Sequence, residues 1–435
     1  MEESVNEGQT PLPKSITVSL AELFRVFLHI GLLSFGGPAA QIALMHKVLV
    51  EQKRWLKEQQ FLNALSFCML LPGPEAMQLA TYAGWRLHGT LGGLIAGLLF
   101  VLPGAAVIFA LASLYAFYGD LPLMQTLFLG VKAAVLIVVI EALLRISKKA
   151  LSRRSHWLLA ALAFIGIFFV SLPFPLIVLL AGIVGAFMST PNAAEVAETH
   201  AQATAKNTLT VLVVGVLLWM LPVLLLAVLS EQQVLITLAG FFSKLAVVTF
   251  GGAYAVLAYM AQEVVQLYGW LSAGEMLDGL GLAETTPGPL ILVTQFVGFL
   301  AAFREGGFVL GLAGGLITLW VTFVPCFIWI FAGAPYIEWM SAQPRLRGAL
   351  QAITAAVVGV ILHLSLWFAL HVLFAEVNQQ SYGPLNIWQP EWASFDWRVL
   401  LIAIISAVML LRLHQNIVIV LAVAAGLAWL LSMWF

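Results

Sequence analysis

The sequence predicts an all-α polytopic membrane protein of two inverted-topology repeats, each with two short re-entrant helical hairpins plus full transmembrane helices. Three observations predict it. Hydrophobic residues fill 62% of the 435 positions and charged residues 9%, where a soluble globular chain carries about 25% charged. The chain also repeats itself. A shift of 215 lays Phe35-Gly36-Gly37 on Phe250-Gly251-Gly252, Trp55 on Trp270, and Pro72-Gly73-Pro74 on Pro287-Gly288-Pro289, with no gap. Of the 45 positions from 35 to 79, 14 are identical to their partners, against about one in ten expected by chance. A second anchor, at a shift of 222, lays Pro103 on Pro325 and Lys132-Ala133-Ala134-Val135 on Thr354-Ala355-Ala356-Val357. Finally, loops that are basic in one copy are bare in the other.

The elements follow in order. Residues 1–15 are a polar N-terminal tail (Glu2, Glu3, Glu7, Lys14) with no hydrophobic core before a cleavage site, so no removable signal peptide is expected. The first repeat with a following helix pair occupies 16–188. Within it, segments 21–34 and 38–50 flank Phe35-Gly36-Gly37, and segments 60–71 and 75–87 flank Pro72-Gly73-Pro74. A bilayer span needs about 20 residues, so each arm reaches only part way. Proline fixes φ and removes a donor while glycine permits positive φ, so these tripeptides break helices. Two re-entrant hairpins per repeat follow, with a kinked span as the alternative for the first pair.

Runs 91–117, 121–144, 209–229 and 417–435 are each apolar and long enough to cross a bilayer. A polar linker is expected over 189–208, a connecting transmembrane helix over 209–232 and the second, inverted repeat over 233–374. An outer loop over 375–397 and a C-terminal helix pair over 398–435 complete the chain. Cys68 and Cys326 lie in apolar segments and read as reduced core residues.

Loop charge sets the orientation. Lys47, Lys53, Arg54 and Lys57 have no basic counterpart in 266–275, and the loop from Arg145 to Arg154 has none in 375–397. Conversely, the turn 119–121 has no basic residue while its partner carries Arg345 and Arg347. The positive-inside rule then inserts the two copies upside-down relative to each other. The N-terminus is expected in the cytoplasm and the C-terminus outside.

Re-entrant backbone is tolerated at membrane depth only where protein or a polar cavity surrounds it. The outgoing arms start at Pro38, Pro74, Ala253 and Pro289, which aims four helix N-termini at the midplane. Free N–H groups and positive dipole ends there suit an anion. Inverted repeats with broken helices are a recurring plan of secondary transporters. Expected substrate contacts are Gly36, Gly37, Pro72, Gly73, Pro74, Gly251, Gly252, Pro287, Gly288 and Pro289 from the breaks, with Thr285 and Thr286 as hydroxyl donors. Gln41 and Gln78 either donate amides to the anion or tie helices together. Lys132 lies about ten residues into its span, roughly 15 Å deep, and either meets the anion or pairs with a structural acid such as Glu141.

Proton coupling falls to Glu75 and Glu284 at the tips. His29 and Lys244, which are repeat partners, are further ionisable candidates. The plain alternatives are a dipole-complementing Glu75 and a packing His29. No Walker loop, His-Glu-x-x-His, Cys-x-x-Cys or nucleophile elbow occurs, so no enzyme, metal or cofactor is expected. A net charge of −1 without a basic patch excludes nucleic acid; the partners are the lipid bilayer and a divalent oxyanion.

At these residues the chain resembles the chromate ion transporter (CHR) family in its long, two-domain form. The first signature is Phe35-Gly36-Gly37-Pro38, Gln41, Arg54-Trp55, Leu71-Pro72-Gly73-Pro74-Glu75-Ala76, Gln78-Leu79-Ala80, Gly84-Trp85 and Leu102-Pro103-Gly104. The second is Phe250-Gly251-Gly252-Ala253-Tyr254, Gly269-Trp270-Leu271, Asp278-Gly279-Leu280, Ala283 through Pro289, and Gln295 through Phe299; Gln295 joins the substrate set. The match runs from about 21 to 367. It implies a bacterial inner-membrane carrier that exports chromate and gives chromate resistance, by exchange for protons or sulfate. Residue chemistry alone reaches a divalent tetrahedral oxyanion, sulfate included. It leaves the oligomeric state open, a homodimer among the options.

Overall fold

The computed structural model describes residues 18–188, 205–229, 231–248, 250, 253–337, 340, 343–383 and 385–434. The N-terminal tail, most of the expected linker, and Gly251 and Gly252 lie outside them. Among the described residues the fold is helical, with one two-stranded sheet. Short helices come first: α1 (Leu20–Leu33), α2 (Gly37–His46) and α3 (Glu58–Cys68), then the long α4 (Glu75–Tyr118) and α5 (Pro122–Ala150). The pair α6 (Arg154–Phe168) and α7 (Phe174–Met188) and the lone α8 (Ala205–Leu229) follow. The same order then recurs as α9 (Gln233–Val248), α10 (Ala253–Gln262), α11 (Ala273–Thr285), α12 (Val293–Gly333) and α13 (Pro344–Leu373). Strands β1 (Val377–Tyr382) and β2 (Leu385–Pro390) precede α14 (Trp397–Ala407) and α15 (Ile417–Ser432).

Local chemistry sets the ends. Ser19 caps α1 by accepting the Glu22 N–H at 3.1 Å. Ser272 and Glu275 form a reciprocal capping box on α11, Asn416 caps α15, and proline opens α2, α5 and α13. Gly36, Gly37, Gly73 and Gly288 all have positive φ, which is why the expected breaks fall where they do. Two further breaks lie inside the long helices, the first in the gap the sequence leaves between the 75–87 arm and the 91–117 run. Within α4, His88-Gly89 leaves helical geometry, and within α12, Gly306-Gly307 does so. Each long helix is therefore a 13-residue limb followed by a full span, 90–118 and 308–333.

Among the described residues, five helices are long and apolar enough to cross a membrane: Glu75–Tyr118, Pro122–Ala150, Asn207–Leu229, Leu290–Tyr336 and Pro344–Leu373. The expected crossing over 417–435 is shorter, because α15 ends at Ser432 after 16 residues. The expected outer loop contains the antiparallel β1–β2 hairpin, closed at Gly383 with φ +64°. β2 alternates exposed and half-buried residues, but the sequences VNQQSY and LNIWQP carry no apolar alternation that would mark a strand.

The two halves interlock. α5 packs on α14 and α15 of the second half, while α13 of the second half packs on α6 and α7 of the first. α5 also packs on α13, and α4 on α12. Lys53, beyond α2, pairs with Glu22 in the first turn of α1 at 2.8 Å, and His88 Nε2 donates to the Val18 carbonyl at 2.5 Å. The chain thus returns to the level of its first helix start after α2, and again at the bend in α4. Peripheral α8 packs on α12 and α9, and none of its apolar window is buried. It meets α12 at one specific point. Pro325 has no N–H for the Val321 carbonyl, and the Trp219 indole N–H supplies it at 3.1 Å.

Candidate functional site

The site is built from broken helix ends. Ser34, Gly36 and Gly37 form the tip between α1 and α2; Pro72-Gly73-Pro74 forms the tip between α3 and α4. Thr286 to Pro289 form the tip between α11 and α12. A helix break in a water-poor core strands carbonyls that need donors. The structure shows who supplies them. Gly288 N–H donates to the Ser34 carbonyl at 2.9 Å, so tips of the two halves meet directly. Gln41 Nε2 donates to the Gly288 carbonyl at 2.6 Å and to Ser34 at 3.3 Å. Gln78 Nε2 donates to Pro72 at 2.7 Å, closing its own tip. Gln295 Nε2 donates to Ala105 at 2.9 Å, tying α12 to α4.

The three glutamines are 0–2% exposed. Each spends its donor on backbone and leaves a buried Oε1 without a partner. Each amide nitrogen binds backbone in this arrangement, as the helix-tying reading of Gln41 and Gln78 expects. The Thr285 and Thr286 hydroxyls likewise donate to Leu282 and Ala283, 2.8 and 3.0 Å away. What stays open at the tips is backbone. Neither α2 nor α4 has a side-chain cap, so their first-turn N–H groups, at the positive end of the helix dipole, lack a side-chain acceptor.

The charged candidates separate. Lys132 does not pair with Glu141, which is bound to Arg145. It lies 3.5 Å from Asp278 of α11, and Tyr115 donates to the same carboxylate oxygen at 2.8 Å. Asp278 is more than roughly 10 Å along α11 from the Gly288 tip, so Lys132 sits apart from the tip donors. Glu284, 5% exposed, accepts a hydrogen bond from Tyr254 at 2.8 Å, which joins the start of α10 to the end of α11. Glu75 opens α4 beside the second tip, and the Lys149 ammonium lies 4.0 Å from Met69 Sδ, at the end of α3 that leads into that tip. His29 and Lys244 are exposed, and Lys244 lies 5.5 Å from the Tyr259 ring centroid. The structure does not bring either to the tips. Cys68 and Cys326 are free and buried.

Asp278, Tyr115, Tyr254 and Lys149 were missed as functional candidates. Asp278 had a signal, since it is an acid on a short apolar helix. Lys149 read as loop charge because its reach toward the tip depends on where α5 ends.

The tips are packed closely against the long helices. A Cβ on Gly104 would overlap the Pro287 carbonyl, and one on Gly73 would come within 2.9 Å of Cys326 Sγ. A separate cavity of about 300 Å³ lies between α5, α14 and α15, lined by Gln125, Thr126 and Arg398 among others; none of the tip residues lines it.

Comparison with known proteins agrees with this architecture. The family model described as chromate transporter matches residues 21–186 and 236–429, which takes in both α6–α7 and α14–α15. A chromate transport protein of Pseudomonas aeruginosa is 34% identical over 354 residues, 79% of this chain and 80% of that one. One from Cupriavidus metallidurans is 29% identical over 355 residues, 79% and 81% of the two chains. An uncharacterized transporter of Methanocaldococcus jannaschii is 28% identical over 362 residues, 81% and 85% of the two. No solved structure matches the chain. The relatives are transporters rather than enzymes. With one family model matched across both halves, and a relative 34% identical over most of its length, the chain belongs to the chromate transporter family.

Proposed function

We propose that this protein is a secondary active transporter that exports chromate across the bacterial inner membrane. The anion binds where the broken-helix tips of the two halves meet. The observation that carries this is the direct contact of those tips, Gly288 N–H on the Ser34 carbonyl with Gln41 on Gly288, in a chain of the chromate transporter family. Backbone N–H groups at the uncapped starts of α2 and α4 supply donors to a dianion. Gln41, Gln78 and Gln295 hold the tips in place. Gly36, Gly37, Gly73 and Gly288 give the backbone its turn, and Pro72, Pro74, Pro287 and Pro289 keep it from re-forming helix.

The two halves are inverted copies, each with two re-entrant hairpins. The return of the chain to Glu22 and Val18 after α2 and at the α4 bend supports re-entry, and loop charge supports the inversion. On this reading the N-terminus is cytoplasmic and the C-terminus periplasmic. Export is driven by exchange with protons or sulfate, with Glu75, next to a tip, as the coupling carboxylate.

Everted vesicles test the reading. They should accumulate labelled chromate in a gradient-dependent manner, with sulfate competing. ATP-dependent uptake that survives an uncoupler would defeat it. A Glu75→Gln variant whose transport keeps an unaltered pH dependence would remove Glu75 from coupling. Cysteines placed at Gly119 and Ser272 should label from the periplasm, and one at Lys149 from the cytoplasm; labelling from one common side would reject the inverted arrangement.

A further inference from the structure

The two halves carry corresponding elements in different states. α11 has no exposed residue, whereas α3, its counterpart, exposes Glu58, Gln59, Leu62, Asn63 and Ser66. α11 lies along α5, with Gly274 against Lys132 and Gly281 against Val131 and Val135. α10 likewise packs on α13. One side of the molecule is docked shut.

An ion pair holds that dock. Asp278, 4% exposed in its side chain, meets Lys132, 24% exposed, across the α5–α11 contact. Its Oδ2 takes both Lys132 and the Tyr115 hydroxyl, and its Oδ1 is buried without any partner. At the other end the repeat counterparts of Asp278 and Lys132 are Asn63 and Thr354. Neither is charged: Asn63 bonds to Gln59 at 2.9 Å and Thr354 to its own helix. Of these two equivalent contacts, only the one between α5 and α11 holds a charged pair.

The groups facing Asp278 are few. Lys132 comes from α5, Tyr115 from α4 and Glu275 from its own helix. Arg304 of α12 is taken by Glu275 and the Trp270 carbonyl. α15, which also packs on α11, has no ionisable side chain. On α13, His363 meets Phe168 edge-to-face and His371 lies tilted against Trp367, while Arg345 and Arg347 lie in its first turn.

We propose that Asp278 is a proton-operated latch: a proton taken up on Oδ1 neutralises the carboxylate, releases Lys132 and lets α11 leave α5, opening a path to the tips from the α11 side. The proton comes from water reaching the part-exposed Lys132, and its loss re-forms the pair. A buried ion pair suits this task because it resists opening while both charges persist and loses its hold when one is cancelled. The inference rests on the transport reading only for its purpose, since the latch itself is readable without substrate.

The test uses the full chain in proteoliposomes, with Cys68 and Cys326 replaced and a single cysteine at Val135, 1% exposed at the α5–α11 contact. The readout is labelling by a membrane-impermeant maleimide. In the otherwise native chain the label should react slowly at neutral external pH and faster on acidification, by up to about tenfold per pH unit. With Asp278→Asn it should react fast at every pH. The charge-swapped double variant Lys132→Asp/Asp278→Lys should restore slow labelling, which a merely misfolded single variant would not allow. Labelling that ignores both pH and Asp278→Asn, or a double variant as fast as the single one, would overturn the latch. Chromate flux measured in the same vesicles separates the two claims: no flux with a working latch rejects the transport reading alone.

Discussion

Substituting Gly104 by alanine strikes the meeting of the tips without touching a polar side chain. Its new Cβ would overlap the Pro287 carbonyl oxygen and lie 2.6 Å from Leu292 Cδ1. The carbonyl is backbone in a tight Pro-Gly-Pro turn, so it cannot rotate aside; the tip must retreat by roughly 1.5 Å to regain ordinary contact. Two hydrogen bonds depend on its position, Gly288 N–H to Ser34 at 2.9 Å and Gln41 to Gly288 at 2.6 Å. A retreat of that size carries both toward or past the ~3.5 Å at which a hydrogen bond is lost. Both lie in the buried core, where each unmet group costs about 1–3 kcal/mol, and overpacking adds about 1–3 kcal/mol. Gly104→Ala should therefore destabilise the protein by at least about 3 kcal/mol and abolish chromate flux. The assay is thermal unfolding of the solubilised protein alongside vesicle uptake. Gly426→Ala is the control, because a Cβ there meets nothing within 4 Å, and alanine is favoured over glycine in a helix by about 0.5–1 kcal/mol. If Gly104→Ala unfolds and transports like Gly426→Ala, the tip contact does not have the role assigned to it.

Three further perturbations are set by the same geometry. Gln41→Leu leaves the Ser34 carbonyl short of one donor and that of Gly288 without its amide, and should lower stability by about 1–3 kcal/mol; Gln41→Glu should be worse, since it replaces the donor with an acceptor, and thermal melts rank the two. Trp219→Phe keeps the ring but strips the donor from the Val321 carbonyl freed by Pro325, costing about 1–2 kcal/mol and loosening α8, read as faster proteolysis between α8 and α9. Asp396 caps α14 through the Arg398 N–H at 2.9 Å, and Arg398 holds its carboxyl below the usual 3.8. Its contribution is thus full above pH 3.8 and disappears as pH falls through the lowered value. Asp396→Ala should cost about 1 kcal/mol at neutral pH, a difference from the native chain that shrinks in acid melts.

The membrane class, the doubling, the helix breaks and the family were legible in the residues. Each is a local or countable property: long apolar runs are set by composition, and proline and glycine impose their dihedrals wherever they stand. The bend at His88-Gly89 falls between the 75–87 arm and the 91–117 run, whereas the one at Gly306-Gly307 escaped because glycine is common in packed membrane helices. The tertiary structure decided what the polar side chains do. Gln41 meets Gly288 from the other half, Lys132 meets Asp278 rather than Glu141, and His29 and Lys244 face outward. Such pairings depend on which stranded carbonyl or buried charge arrives from a distant part of the chain. In a core with little water such groups are driven to pair, but residue order does not say with which.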